Sequence, residues 1–310
     1  MLNYTAGTLN NLSLFFAFMI SYNPKEWFGI FRLHKADTFR KLLPLILFLC
    51  IYTAGIVALE IHWLKLGEKS YLRNVPLMHN LLGLALSLLL VFRTNTAYDR
   101  WWEGRKLWGA LVNNSRNLAI KLHAWLPADA KDDRAFFANL IPLFATELRM
   151  HLQTEITRLE LDEKPHPEIP DFDTSKHIPN QIVIALNQRI HQLYSRNVLT
   201  GDQLILINPE VQSFLDICGG CERIKNTPIP YSYSAFIKKF IFAYVITLPL
   251  GYVFSLGFIT IPIVAFVFYV LGSLELIAEE IEDPFGIDQN DLPMDRMAAN
   301  IKRNIADIFA

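Results

Sequence analysis

Residues 74–92 read NVPLMHNLLGLALSLLLVF and contain no Lys, Arg, Asp or Glu. A helix that crosses the hydrocarbon core of a bilayer needs roughly 20 largely apolar residues, with a lower limit of about 17. This stretch meets that requirement, and it decides the fold class because apolar runs of this length are typical of membrane spans. We therefore predict an integral membrane protein.

Two further charge-free runs lie on either side of this stretch, at residues 42–59 and 240–274. The first is long enough for one span, whereas the second is too long for one helix and barely long enough for two. Gly251 and Gly257 lie near the middle of the second run and favour a tight reversal around residues 252–256. The sequence therefore predicts four transmembrane helices in two hairpins.

The composition supports a membrane protein with a sizeable polar part. Of the 310 residues, 52% are hydrophobic and 19% are charged, whereas a soluble domain usually has about 25% charged residues. The formal net charge of −1 lacks the basic excess of a nucleic-acid-binding protein. Three cysteines are too few for a disulfide scaffold.

Lys and Arg cluster before the run at 42–59, after the run at 74–92 and before the run at 240–274. Because basic residues are enriched on the cytoplasmic side of a membrane, these ends of the spans are predicted to lie in the cytoplasm. The predicted protein is a single domain in the cell (inner) membrane, with both termini cytoplasmic. Its parts are an N-terminal segment (1–40), a first transmembrane hairpin (41–98), cytoplasmic helices (99–231), a second transmembrane hairpin (232–277) and a C-terminal segment (278–310).

The polar part reads as helical. Apolar residues recur there at steps of three and four, and no alternating strand pattern is visible. A loop with four prolines is expected at residues 164–179. The fold class is all-α, and the predicted helices of the polar part are Trp101–Leu126, Lys131–Leu161, Asn180–Asn197 and Asp202–Asn226.

Three motifs identify a family. They are RTNTAYDRWWEGRKLWG at 93–109, CERIKNTPIPYSY at 221–233 and EEIEDPFGIDQNDLP at 279–293. Alone, the first is also typical of the Trp, Tyr and Arg belt at a membrane interface. In this order and spacing, over about residues 24–300, they resemble the bestrophins, most closely the bacterial and plant-organelle branch. The resemblance implies a pentameric homo-oligomer in the lipid bilayer, an all-α ion channel with a central pore.

Leu84, Leu88 and Phe92 recur every four residues and so share one helix face. From the residues alone, such a face is more typical of packing in the core. The resemblance matches the three positions to an apolar neck that lines the pore, where stacked rings gate by dewetting. It also implies a second constriction, the cytoplasmic aperture, within residues 201–205. We assign the aperture to Leu204, although the match to the family leaves the position open by one residue.

The resemblance implies passive conduction of small monovalent ions. The family name indicates chloride and other anions, whereas some members of the bacterial branch favour cations, so the sign of the ion stays open. Apolar neck rings carry no charge, so they do not determine whether anions or cations pass.

Residues 275–295 hold eight acidic residues and no Lys or Arg, which is usually a solvated acidic face. In animal bestrophins the corresponding stretch forms a calcium clasp, and two of its acids match Asp288 and Asp291. Calcium takes six to eight oxygen ligands, so two carboxylates leave most ligands to the backbone and water. We expect no cofactor, with calcium at these two carboxylates as the alternative.

Cys218 and Cys221 form a Cys-x-x-Cys pattern and suggest the rival function, a membrane-bound redox or metal-dependent enzyme. No second Cys pair is present, and zinc would need distant ligands such as His123 or His151. We predict instead that the two thiols are structural and lie inside a helix, and that the protein is not an enzyme.

Overall fold

The computed structural model describes residues 38–64, 74–157, 173 and 176–310. Within these residues the chain is helical and contains no strand, as the all-α prediction requires. Most of the predicted N-terminal segment and of the predicted loop at 164–179 lies outside the described residues. The α-helices are Thr38–Ala58 (α1), Val75–Trp125 (α2), Lys131–Thr157 (α3), Ile178–Ser195 (α4), Gly201–Asn226 (α5), Tyr231–Leu256 (α6), Thr260–Glu282 (α7) and Met294–Phe309 (α8).

The chain divides into two compact units. In the described residues, the first comprises 38–64, 74–103 and 226–284, and we call it the spanning unit. The second comprises 104–157, 173, 176–225 and 285–310, and we call it the polar unit. Three helical segments, Thr38–Ile61, Val75–Trp125 and Tyr231–Glu282, are long and apolar enough to cross a membrane.

The third of these segments is a helical hairpin in the spanning unit. Gly257 ends α6 with a φ of 56°, in the left-handed region that glycine adopts most readily. Lys238, near the start of α6, pairs with Glu279, near the end of α7, at 2.8 Å. The two helices therefore run antiparallel, as the predicted reversal within residues 240–274 requires.

Gly251 has a different role from the one we predicted. It lies inside α6 and is buried, and a Cβ there would lie 2.7 Å from the Cβ of Val75. The reversal is therefore at residues 257–259, and Gly251 lets α6 approach the start of α2. A buried apolar cluster holds the spanning unit together, formed by Ile46, Leu49, Leu86, Leu90, Ile237, Ile241, Val245, Leu248, Val264 and Phe268.

In the polar unit, α3 packs against α4 and α8. The face of α8 that is buried carries Met297, Ala298, Ile301 and Ile305, which follow the helical repeat. Large side chains such as Trp108, Phe144 and Phe214 are fully buried in this unit, and the rings of the last two stack at 4.8 Å. The unit therefore has a core of its own.

Candidate functional site

The three predicted neck residues lie on an unpacked face of α2. Leu84, Leu88 and Phe92 are 73%, 55% and 57% exposed in the single chain. Leu86 and Leu90, on the other side of the same turns, are 0% and 1% exposed. One face of this part of α2 therefore packs in the core, while more than half of each predicted neck side chain is left exposed by the described residues of its own chain.

This exposed row, which we call the α2 stripe, extends beyond the neck. At 100° per residue, Asn95 and Asp99 fall within the same sector as the three neck residues, and both are exposed. Asp99 lies about 10 Å further along the helix than Phe92, at a rise of 1.5 Å per residue. An apolar surface thus gives way to a polar one that ends on a carboxylate.

The hydroxyl groups near the neck bond to the backbone of α2 itself. Ser87 donates to the carbonyl of Gly83 at 2.8 Å, and Thr96 donates to that of Phe92 at 2.9 Å. Gly83 also permits a close approach of α6, because a Cβ there would lie 2.9 Å from the Tyr244 hydroxyl oxygen. The hydroxyl hydrogens of Ser87 and Thr96 are therefore used within α2.

Directly after the neck, Arg93 turns into the protein. Its side chain is 1% exposed, and Nη2 lies 2.7 Å from Oε2 of Glu282 at the end of α7. Nε lies 3.5 Å from Oε1 of Glu275, whose side chain is 4% exposed. A buried guanidinium between two acids therefore links the end of the predicted neck to α7.

Glu282 joins all three sequence motifs. Its Oε1 accepts the backbone N–H of Ile229 at 2.7 Å, and its carbonyl accepts Nε–H of Arg100 at 3.0 Å. Arg100 also donates from Nη1 to the carbonyl of Thr227 at 2.5 Å. The motifs at 93–109, 221–233 and 279–293 thus meet at one residue of the spanning unit.

The predicted aperture lies in the first turns of α5. Leu204 is half-buried there, whereas the next residue, Ile205, is 70% exposed. Leu206 is also exposed, at 54%, so two large apolar side chains project from this part of α5, and the first of them, Ile205, is one position along from Leu204.

The two acids matched to the calcium clasp form a turn in the polar unit. Asp288 is exposed and Asp291 is buried. Oδ2 of Asp291 accepts the backbone N–H of Asp288 at 2.5 Å, and the Asp291 N–H donates to the Asp288 carbonyl at 3.1 Å. In the described part of the chain, these two carboxylates belong to no group of three or more metal-ligating side chains.

Cys218 and Cys221 lie inside α5, as predicted, and both are buried free thiols. One of the two glycines between them, Gly220, serves packing: a Cβ there would lie 3.0 Å from the side chain of Leu107. Burial, with the nearby Glu222, raises the pKa of the Cys218 thiol to about 12. A redox cysteine needs a lowered pKa and access to solvent, so Cys218 lacks the properties of one.

The sequence model described as "Bacterial/Fungal Bestrophin protein" matches residues 19–307. The chain belongs to the bestrophin family. A voltage-dependent anion channel-forming protein of Nostoc sp. is 38% identical to this bestrophin over 256 residues, which are 77% of this chain and 80% of the relative. One of the same name from Synechocystis sp. is 30% identical over 95% of each chain.

Solved structures show the same fold. A crystal structure of a bacterial bestrophin homolog from Klebsiella pneumoniae, carrying one aspartate-to-alanine mutation, has a TM-score of 0.77 to this bestrophin. The two are 27% identical, and the match covers 87% of this chain and all of that one. Together with its apolar helices, this likeness shows a membrane-protein fold, and the two relatives above are named as channel-forming proteins.

Two residues near the neck were not singled out from the sequence. Asp99 lies on the α2 stripe, and its position follows from continuing the helix face beyond Phe92 by a step of three residues to Asn95 and then a step of four. Glu282 lies within a quoted acidic motif, but nothing local distinguishes it from the other acids of that run. Only the packing of α7 against Arg93 reveals its role.

Proposed function

We propose that this bestrophin is a passive channel for small monovalent ions, with Leu84, Leu88 and Phe92 forming its neck. The observation that carries the proposal is the row of three large apolar side chains exposed on α2, whose other face is buried. Five copies of α2 around an axis would stack these side chains into rings. An ion entering such rings sheds water without a polar replacement, so the rings gate by dewetting.

The pentamer accounts for the exposed stripe. Contact with lipid would explain the exposed Leu and Phe side chains of α2 but does not explain why the row runs on into Asn95 and Asp99. An aqueous pore suits both parts, because its narrow apolar part gates and its polar part stays wet. For the second constriction, the exposure of Ile205 favours it over Leu204 as the aperture residue.

For the topology, we propose four spans with both termini in the cytoplasm and the protein in the inner membrane. The hairpin helices α6 and α7 have 26 and 23 residues, and each is long enough to cross a bilayer. The distribution of Lys and Arg at the span ends supports the orientation.

Ion flux tests the proposal directly. Purified protein in vesicles with a sodium chloride gradient is expected to dissipate the gradient without an energy source, and the relatives' names favour anions as the main carriers. Protein-free vesicles are the control. Vesicles that hold the intact oligomer and show no flux of either ion would overturn the channel.

Selectivity gives a second prediction, because Asp99 is an acid on the α2 stripe. A ring of these carboxylates attracts cations and repels anions. Even in bulk water, a unit charge 4 Å from an ion is worth about 1 kcal/mol, or about fivefold for one ion, so Asp99→Asn is expected to raise the chloride-to-sodium permeability ratio at least fivefold. The measurement is the reversal potential in asymmetric sodium chloride.

Glu279→Gln is the matched control for Asp99→Asn. Glu279 is also an exposed acid of the spanning unit, but it pairs with Lys238 and lies on α7. We expect no shift of the reversal potential for this variant. If Asp99→Asn conducts with an unchanged reversal potential, Asp99 does not line the pore.

A further inference from the structure

A cluster of metal-ligating side chains lies in the polar unit. His151 from α3, His177 at the start of α4 and Glu222 from α5 meet there. Oε1 of Glu222 is 2.7 Å from Nε2 of His151 and 2.6 Å from Nε2 of His177. The centroids of the two imidazole rings are 4.4 Å apart. All three ligand atoms lie within 4.8 Å of one another.

Contacts outside the cluster hold its members in place. Nδ1 of His177 accepts the backbone N–H of Asn180 at 3.2 Å and so caps α4. Beside His151, the carbonyl of Leu152 accepts a hydrogen bond from Lys225 of α5 at 2.5 Å. The three side chains therefore converge from helices whose backbones are already fixed, and the cap bond holds His177 in the orientation that it has without a metal.

Glu222 is held as a carboxylate. Burial favours its neutral form, but hydrogen bonds from His177 and His151 outweigh this effect and lower the pKa of Glu222. The Cys218 thiol, one helical turn earlier, also hydrogen-bonds to Glu222. Such outer contacts orient a ligand without touching the ion.

We propose that His151, His177 and Glu222 bind one divalent transition-metal ion of the zinc class. Two imidazole nitrogens and one carboxylate match zinc, whereas calcium and magnesium prefer oxygen ligands alone. The side chains are 34%, 29% and 31% exposed, so an ion can enter from solvent. Three protein ligands leave a fourth position for water.

The metal competes with the hydrogen bonds seen in the cluster. Because Nδ1 of His177 accepts from Asn180, the neutral ring carries its proton on Nε2 and donates it to Glu222. Binding through Nε2 moves that proton to Nδ1 and breaks the cap bond to Asn180. The site is therefore weaker than a closed structural zinc site, and its occupancy follows the metal concentration.

An occupied site would cross-link α3, the start of α4 and α5. His151 and Glu222 are 71 positions apart in sequence, so the metal would join distant parts of the polar unit. An ion that binds only the folded state stabilises it by mass action. The proposal does not rest on the channel function.

Metal binding to the full chain tests the site. Purified protein is stripped with EDTA, dialysed and titrated with zinc chloride, and bound zinc is counted by equilibrium dialysis. We expect one zinc per chain, bound at least tenfold more tightly than by His151→Gln, His177→Gln or Glu222→Gln. Cobalt chloride in place of zinc is expected to give the intense visible absorption of tetrahedral Co²⁺, and the three variants are expected to lose it.

His191→Gln is the matched control. His191 is an exposed histidine on α4, about 21 Å along the helix from His177 at 1.5 Å per residue, and its loss is expected to leave zinc affinity unchanged. Circular dichroism identifies any variant that fails to fold, and the zinc affinities of the variants that do fold then test the site. No zinc uptake by the wild type, or equal affinity in folded cluster variants, overturns the site and leaves a hydrogen-bonded cluster only.

Discussion

Replacing Leu84, Leu88 and Phe92 together by Ala is expected to raise single-channel conductance or open probability about tenfold or more. Each 1.4 kcal/mol removed from a barrier gives about a tenfold faster rate. Smaller side chains widen and wet an apolar constriction, so an ion keeps more of its water as it passes. Selectivity is expected to change little, because the substitution alters no charge. Single-channel recording in planar bilayers measures both quantities.

Leu86→Ala with Leu90→Ala is the matched control for the neck. Both residues lie on the same helix and have the same chemistry, but they are buried in the core of the spanning unit. Truncating a buried Leu to Ala costs about 2–5 kcal/mol, so this pair is expected to lose the oligomer in size-exclusion chromatography rather than to gain current. The triple neck variant is expected to elute as the wild type does.

Two outcomes would contradict the neck. A triple variant with an intact oligomer and unchanged current removes these residues from the conduction path. A triple variant that dissociates indicates that the exposed face packs against a neighbouring chain as core, without lining a pore.

The helices were predictable because their signals are local. The spans follow from charge-free length, and α2 continues to Trp125 because no Pro or Gly cluster interrupts it after Phe92. The position of the reversal in the second hairpin was less predictable. Nothing in the sequence distinguishes the roles of Gly251 and Gly257. In the structure, Gly251 packs closely against Val75, whereas Gly257 adopts a positive φ. Only tertiary packing separates these two uses of glycine.

The candidate site was predictable only in part. The four-residue repeat puts Leu84, Leu88 and Phe92 on one face in any helix, so their shared face needed no structure. Which face is unpacked depends on α6 and α7, whose contacts are non-local. The same limit explains the aperture, where Leu204 and Ile205 differ in burial and hardly at all in chemistry.

Contacts between distant residues could not be predicted at all. Zinc ligation by His151 was considered only together with the cysteines, whereas the structure brings it to Glu222 and His177. His177 belongs to no motif, and Glu222 reads as one charge among several in a helix. A single sequence contains the residue types of such a site, but nothing in it specifies which of them meet.

Arg93→Leu is expected to destabilise the protein by about 3–5 kcal/mol, because removing one partner of a buried ion pair leaves an uncompensated charge. Leu fills much of the volume but leaves the nearly buried carboxylates of Glu275 and Glu282 without their guanidinium. The temperature at which half of the helical circular dichroism is lost measures the effect. A fall in the unfolding temperature that corresponds to less than about 1 kcal/mol of stability, the usual contribution of an exposed pair, would contradict the buried network.

Lys238→Ala is the matched control for Arg93→Leu. Lys238 also pairs with an acid of α7, Glu279, but this pair lies at the surface. Lys238 and Glu279 are 48% and 50% exposed, so water and salt already screen them, and such pairs are worth about 0–1 kcal/mol. We expect almost no change in the unfolding temperature. The two variants thus compare a buried cation with an exposed one, each paired with acids of the same helix.

Glu275→Gln in the Arg93→Leu background separates charge from packing. If the cost of Arg93→Leu comes from stranded negative charge, neutralising Glu275 is expected to restore part of the lost stability, although the same change alone in the wild type is destabilising. If the cost comes from lost packing, the double variant is no more stable than Arg93→Leu. Because Arg93 directly follows Phe92, the restored variant also reports on the neck. This variant lacks both ion pairs of Arg93, so a conductance that returns with stability would indicate that the last apolar ring depends on a stable spanning unit and not on the ion pairs themselves.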